Sequence, residues 1–295
     1  MIEKFLPRTQ FDSYEDFKAN YRLNIPENFN FFIRCDRRVG ASGRKKPALV
    51  WVDGGAGERR LTFAELSALS MQAANFFTAH GVQKGDFVLL VLKQRVEAWV
   101  CMLALHRIGA IVIPATFQLM PHDIEYRCNK AGIKMICCVD DGELLGNIRQ
   151  VRAACTTLRH VAVVGETIPG GLHRFPSRRR GLPDRILLRP PGEAATDVHD
   201  LSLDISPPGT TGMPKLIVHD YAYPLGHITT ANYWHEVRDG GCISFRPTPG
   251  WAKFGWGKIY GQWICGASSW RMIPKGNLIR CICSRRLTPA PGDVL

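Results

Sequence analysis

Between Thr62 and Val164 the sequence alternates short, continuous apolar runs with longer segments of helical period, and few folds accept that order. Thr62-Phe-Ala-Glu65 has the form of a capping box, and Leu66, Leu69, Ala73, Phe76 and Phe77 then recur at helical spacing until Gly81. Residues 86–92, Asp86-Phe-Val-Leu-Leu-Val-Leu92, carry after their first residue a continuous apolar run of the kind found in strands buried on both faces. The alternation continues with a helix over 96–107 stopped by Gly109, a strand over 110–114 and a helix over 122–131. A strand over 134–139, a helix over 143–154 and a strand over 160–164 complete it. This order, with short Gly-punctuated connections, predicts an α/β fold of mostly parallel sheets covered by helices.

The flanks read less clearly. Ser13 caps a short predicted helix that ends at residue 20, with acidic residues in its first turn. Residues 166–200 are rich in Pro, Gly and Arg and suggest no element. Periodicity returns with a strand over 216–219, a helix over 225–237 and a strand over 241–245. There is no internal repeat and no low-complexity tract.

Composition sets outer bounds. With 45% hydrophobic and 22% charged residues, the 295-residue chain is neither disordered nor a coiled coil as a whole. Its formal net charge of +12 is local: residues 34–46 carry six basic side chains and one acidic, 172–190 carry six and one, and 271–290 carry five and none, leaving the remainder at −3. Clustered arginines such as Arg34, Arg37, Arg38 and Arg178 to Arg180 can neutralise phosphates, but the clusters lie far apart and lack interleaved aromatics. No nucleic-acid partner is expected. No apolar run approaches the ~18 residues of a membrane span, and the amino terminus has neither a secretory nor a transit pattern. The ten cysteines are scattered, without Cys-x-x-Cys or a His cluster at zinc spacing, so buried thiols in a reducing cytoplasm and no metal site are expected.

The segment richest in chemistry is Gly209-Thr-Thr-Gly-Met-Pro-Lys215, followed at once by the apolar Leu216-Ile-Val218. Glycines let backbone N–H groups approach phosphate oxygens, threonine hydroxyls add donors, and the lysine adds charge. It is not a Walker A loop, because Pro214 precedes the lysine and a strand, not a helix, follows. An exposed hairpin turn is the competing reading on local composition.

In this loop the chain resembles the adenylate-forming superfamily, the acyl-CoA synthetases and their relatives, whose signature is Ser/Thr-Ser-Gly-Thr-Thr-Gly-x-Pro-Lys. The segments Asn24-Ile-Pro-Glu-Asn-Phe-Asn30, Gly109-Ala-Ile-Val-Ile-Pro-Ala115, His219-Asp-Tyr-Ala-Tyr-Pro-Leu-Gly-His227 and Gly250-Trp-Ala-Lys-Phe-Gly-Trp-Gly-Lys-Ile-Tyr-Gly-Gln-Trp263 look like its medium-chain branch. The resemblance implies a two-step ligase: a carboxylate attacks the α-phosphate of Mg2+-bound ATP to give an acyl adenylate and pyrophosphate, then coenzyme A displaces AMP. It implies ATP phosphate binding by Gly209, Thr210, Thr211, Gly212 and Lys215. It also implies an acyl pocket near Gly250, Trp251 and Trp256, for which ordinary aromatic packing is an equally good reading. His219 and His227 fall in matching segments, where a structural role is the simpler expectation. No catalytic residue is assigned.

Two departures set further expectations. The family's Tyr-Gly-x-Thr-Glu adenine motif, ribose-binding Asp, hinge and carboxy-terminal lysine domain have no counterpart in these residues. The expectation is a truncated chain: an incomplete adenylation domain over 1–267 and an aberrant tail over 268–295. Secondly, Ile205-Ser-Pro-Pro208 stands where the family has Tyr-Phe-Ser-Ser, and prolines remove backbone donors. An ancestral Leu-Val-Tyr-Phe-Ser-Ser-Gly, read with one base missing from a GTA valine codon, yields Leu203-Asp-Ile-Ser-Pro-Pro-Gly209. Local frame damage would also produce the Arg-, Pro- and Cys-rich stretches. Taken together, the sequence predicts an acyl-CoA synthetase-like ligase inactive in this form, or a non-catalytic nucleotide- or acyl-binding remnant.

Overall fold

A computed structural model of the chain describes residues 2–31, 46–53, 57–176, 196–205, 215–244, 254–255 and 259–273. A short helix α1 (Tyr14–Asn20) precedes β1 (Pro47–Asp53), β2 (Glu58–Thr62) and α2 (Phe63–Ala79). Then come β3 (Phe87–Val91), α3 (Val96–Ile108), β4 (Ile111–Pro114), α4 (Pro121–Ala131), β5 (Met135–Val139), α5 (Gly142–Val151) and β6 (His160–Val164). The later elements are β7 (His173–Arg174), β8 (Leu201–Ile205), β9 (Ile217–Asp220), α6 (Tyr223–Thr229), β10 (Cys242–Ser244), α7 (Tyr260–Ile264) and β11 (Ser268–Ile273).

These elements form two compact units. One holds the described residues of 67–221 together with Phe254, and the other those of 1–66, 222–246 and 255–295. The first unit is built on a seven-stranded sheet of order β7-β6-β5-β3-β4-β8-β9, parallel throughout except for the antiparallel β8–β9 pair. The mostly parallel α/β fold read from the sequence is therefore present. Strands β3, β5 and β6 sit between neighbours and bury nearly every side chain, which is why their sequences are continuous apolar runs rather than alternating ones. Helix α3 is buried almost all round, as its largely apolar sequence requires, and it ends where Gly109 takes a left-handed φ of 73°.

The capping box at the start of α2 forms as expected. Thr62 N–H donates to Glu65 Oε2 at 2.8 Å and Glu65 N–H donates to Thr62 Oγ1 at 3.2 Å. Ser13 likewise caps α1, accepting from the Asp16 N–H.

The second unit contains a four-stranded sheet of order β10-β11-β1-β2, in which β1 pairs parallel with β11 and antiparallel with β2. Here the structure adds to the sequence reading. Residues Ser268–Ile273, which open the stretch expected to be an aberrant tail, are a strand between β1 and β10. A short strand with partners on both sides needs no alternating pattern, so periodicity could not reveal it. In the first unit, β7 lies inside the stretch that suggested no element. The predicted helix over 225–237 is instead α6, entered through Pro224, followed by a π-helical turn at Thr230–Trp234. No helix among the described residues is long and apolar enough to cross a membrane.

Candidate functional site

In open parallel sheets, ligands bind outside the carboxyl ends of the strands, near the point where successive connections diverge. Strand β3 connects to β4 on one side of it, while β5, on its other side, connects onward to β6. The divergence therefore falls between β3 and β5. Strand β8 runs parallel to β4, with Leu203 opposite Val112, so the segment leaving Ile205 departs from this same carboxyl edge.

That segment carries the glycine and threonine loop. Strands β8 and β9 pair antiparallel, with Ile205 opposite Ile217 and Leu203 opposite His219. Lys215 is exposed just before β9. Gly209, Thr210, Thr211 and Gly212 lie outside the described residues, as does the Ser206-Pro-Pro208 departure.

Four more groups along the same edge escaped the sequence reading. Lys93, just after β3, has a φ of 49°, a left-handed conformation that is strained for a residue with a side chain. Its Nζ sits 2.8 Å from Asp141 Oδ2 and 4.4 Å above the Phe117 ring. Arg95 pairs with Asp140 Oδ1 at 2.8 Å. The hydrogen bond from Lys93, backed by the Leu144 N–H at the start of α5, lowers the Asp141 carboxyl pKa. Asp140 Oδ2 accepts from the Glu166 N–H at 3.1 Å. It lies so close to Gly165 that a Cβ there would meet it at 2.1 Å. Composition and periodicity are blind to this arrangement. The charged residues close behind two buried strands, Lys93 after β3 and Asp140 after β5, were the available signal.

The two candidate histidines separate into structural positions. His219 lies on β9, where its carbonyl accepts from Ser202 Oγ at 3.3 Å, and burial lowers the pKa of its imidazole. His227 lies on α6, its ring edge-on to Tyr223 at 4.5 Å. Its carbonyl is so near α7 that a Cβ on Gly261 would lie 2.3 Å from it, and this close helix approach explains one glycine of the family segment.

Of the acyl-pocket candidates, Gly250, Trp251 and Trp256 lie outside the described residues. Their described neighbours serve the core. Phe254 packs on Trp99 at 4.8 Å, Tyr260 meets Phe31 edge-on at 5.1 Å, and Trp263 donates from Nε1 to the Ala48 carbonyl at 3.0 Å. Among the described residues, no group of three or more His, Cys, Asp or Glu side chains is arranged to hold a metal ion.

The model of the AMP-binding enzyme family matches residues 35–280, a span that runs past the 267 boundary expected from the sequence and takes in β11. The chain is 30% identical over 266 residues to acyl-coenzyme A synthetase ACSM3, mitochondrial, of Mus musculus, covering 87% of this chain and 44% of that protein. It is 30% identical over 267 residues to acyl-coenzyme A synthetase ACSM4, mitochondrial, of Homo sapiens, covering 85% and 44%. The chain thus spans less than half the length of these relatives. The crystal structure of Brucella canis acyl-CoA synthetase superposes with a TM-score of 0.74 at 22% identity, over 90% of this chain and 48% of that one. A family match over residues 35–280, most of the chain, leads to one conclusion: the chain belongs to the AMP-binding enzyme family.

Proposed function

We propose that the chain is the adenylation portion of an acyl-CoA synthetase-type ligase. Its substrates would be a medium-chain fatty acid or another carboxylic acid, ATP with Mg2+, and coenzyme A. The observation that carries this reading is the pairing of β8 with β4 and with β9, where β8 and β9 are the strands that flank the sequence Gly209-Thr-Thr-Gly-Met-Pro-Lys215 on either side. The donor set fits a polyphosphate. Gly209 and Gly212 permit close approach of backbone N–H groups, Thr210 and Thr211 add hydroxyls, and Lys215 brings a cation whose exposure leaves it free to reach an anion. Such donors would act on the charge that develops as pyrophosphate departs.

These 295 residues hold the phosphate loop without the family's adenine and hinge motifs, so we expect the chain by itself to bind nucleotide without completing thioester formation. Titration of the purified chain with Mg2+-bound ATP tests this. Saturable binding, weakened about ten-fold or more by Lys215→Ala, supports the reading, because a charged hydrogen bond is worth about 1.5–3 kcal/mol. No binding at millimolar nucleotide would overturn it, and acyl-CoA formation by the chain alone would overturn the expectation of inactivity. We place the protein in the cytoplasm; the two relatives named above are mitochondrial proteins, and fractionation of the source cells decides between the compartments.

A further inference from the structure

Three histidines that are far apart in the sequence meet at the β7 edge of the seven-stranded sheet. His80 follows α2, His160 opens β6 and His173 opens β7. Their ring centroids lie 4.4 Å (His80–His173), 5.1 Å (His160–His173) and 5.6 Å (His80–His160) apart. His160 Nδ1 is 3.1 Å from His173 Nε2. A hydrogen bond between two imidazoles needs one nitrogen without a proton, so it cannot persist when both rings are cationic. His80 Nδ1 lies 2.8 Å from the Phe76 carbonyl, which can only accept, so the proton of that contact belongs to the ring.

The strand that this cluster touches is the shortest of its sheet. Strand β7 has two residues, with pairings Ala162–His173 and Val163–Arg174. It continues into a Phe175 N–H bond to the Val163 carbonyl at 2.9 Å. Phe175 is buried and packs on Phe76 at 5.1 Å and Phe77 at 6.0 Å, beside His80, whose ring is 4.2 Å from Phe76. Arg174 holds the same turn by donating to the Gly165 and Glu166 carbonyls at 2.9 and 2.8 Å.

We propose that the His80–His160–His173 cluster is an acid-sensitive latch, whose protonation breaks the imidazole–imidazole bond and frees β7, drawing Phe175 away from Phe76 and Phe77. The surroundings favour this outcome. Among the described residues, the charges acting on His160 are those of His80, Arg152 and Lys134, and on His173 those of His80, His160 and Arg152. Asp86, which could offset added charge, is engaged by Lys134 at 2.7 Å and by the Gln83 N–H at 2.7 Å. Burial first, and these cations second, lower the pKa values of His160 and His173 below the ordinary 6.5. The folded chain thus binds these protons more weakly than the unfolded chain. The stability they contribute is full above about pH 6.5 and is lost as the pH falls through the lowered values.

Hydrogen–deuterium exchange of the 295-residue chain tests the latch, compared at about pH 7.5 and about pH 5 after correction for intrinsic exchange. The expected result is a loss of protection at Phe175 of about ten-fold or more at the lower pH, while Met135–Val139 stays protected. His173→Gln and His80→Gln each remove one ring of the cluster and should flatten the response. Unchanged protection at Phe175, or the same acid loss in the variants, would overturn the proposal. If neither variant folds, the imidazole resonances of the unmodified chain decide. Coupled titrations with midpoints below 6.5 support the latch, and independent titrations at ordinary values overturn it.

Discussion

The two sheets differ in how far the chain must travel to complete them. In the seven-stranded sheet, β3, β4, β5 and β6 follow one another within residues 87–164, each pair joined by a helix and short turns. In the four-stranded sheet, Leu49 of β1 finds Ser269 of β11, 220 positions later. Loop-closure entropy grows only slowly with length, by about 0.6 kcal/mol per doubling, so the distant pairing is affordable at equilibrium. Its cost is kinetic, since long-range parallel pairing must wait for every intervening residue. The β3 to β6 part of the first sheet is a local construction, and the β1–β11 pairing of the second a late one.

The largest test of that contrast strikes the local sheet. Ile136→Ala, at a fully buried position of β5 between β3 and β6, should cost about 2–5 kcal/mol, read as a fall in the urea midpoint. Next, Ser269→Pro removes a ladder donor from a strand flanked by β1 and β10, at about 1–3 kcal/mol. Exchange protection should fall along Pro47–Asp53 while Met135–Val139 keeps its protection; equal loss in both sheets would erase the distinction between them.

Smaller effects sharpen it. Gly261→Ala forces a methyl toward the His227 carbonyl and the Ala231 side chain, and should cost about 1–3 kcal/mol by pushing α7 off α6. A thermal melt of the variant within a degree of the parent would show that the helix contact yields freely. Thr62→Ala removes one arm of the α2 capping box, at about 1 kcal/mol, and Thr62→Ser should recover most of it.

The same contrast governs what could be read from sequence. Boundaries within residues 62–164 fell within a few positions of those observed, because a strand buried on both faces and a helix beside it leave local signatures. Strands β1, β2, β8 and β11, and the helix α7, were not legible, being short and supported by partners far along the chain. The proposed phosphate-binding segment stood out by its glycines, threonines and Lys215, while the β8 and β9 strands that flank it in the sequence pair only through the tertiary fold. Lys93 and its pairing with Asp141 were not legible, since a left-handed backbone at a lysine has no compositional trace.

The parallel pairing of β1 with β11 also has a history in time. A ribosome adding about 5–20 residues per second needs roughly 11–44 s to travel from Leu49 to Ser269. Throughout that interval β1 can pair with β2, but its other edge has no native neighbour to meet. A nascent chain of this kind offers chaperones a defined client segment, Pro47–Asp53, and a defined moment of release, when β11 emerges.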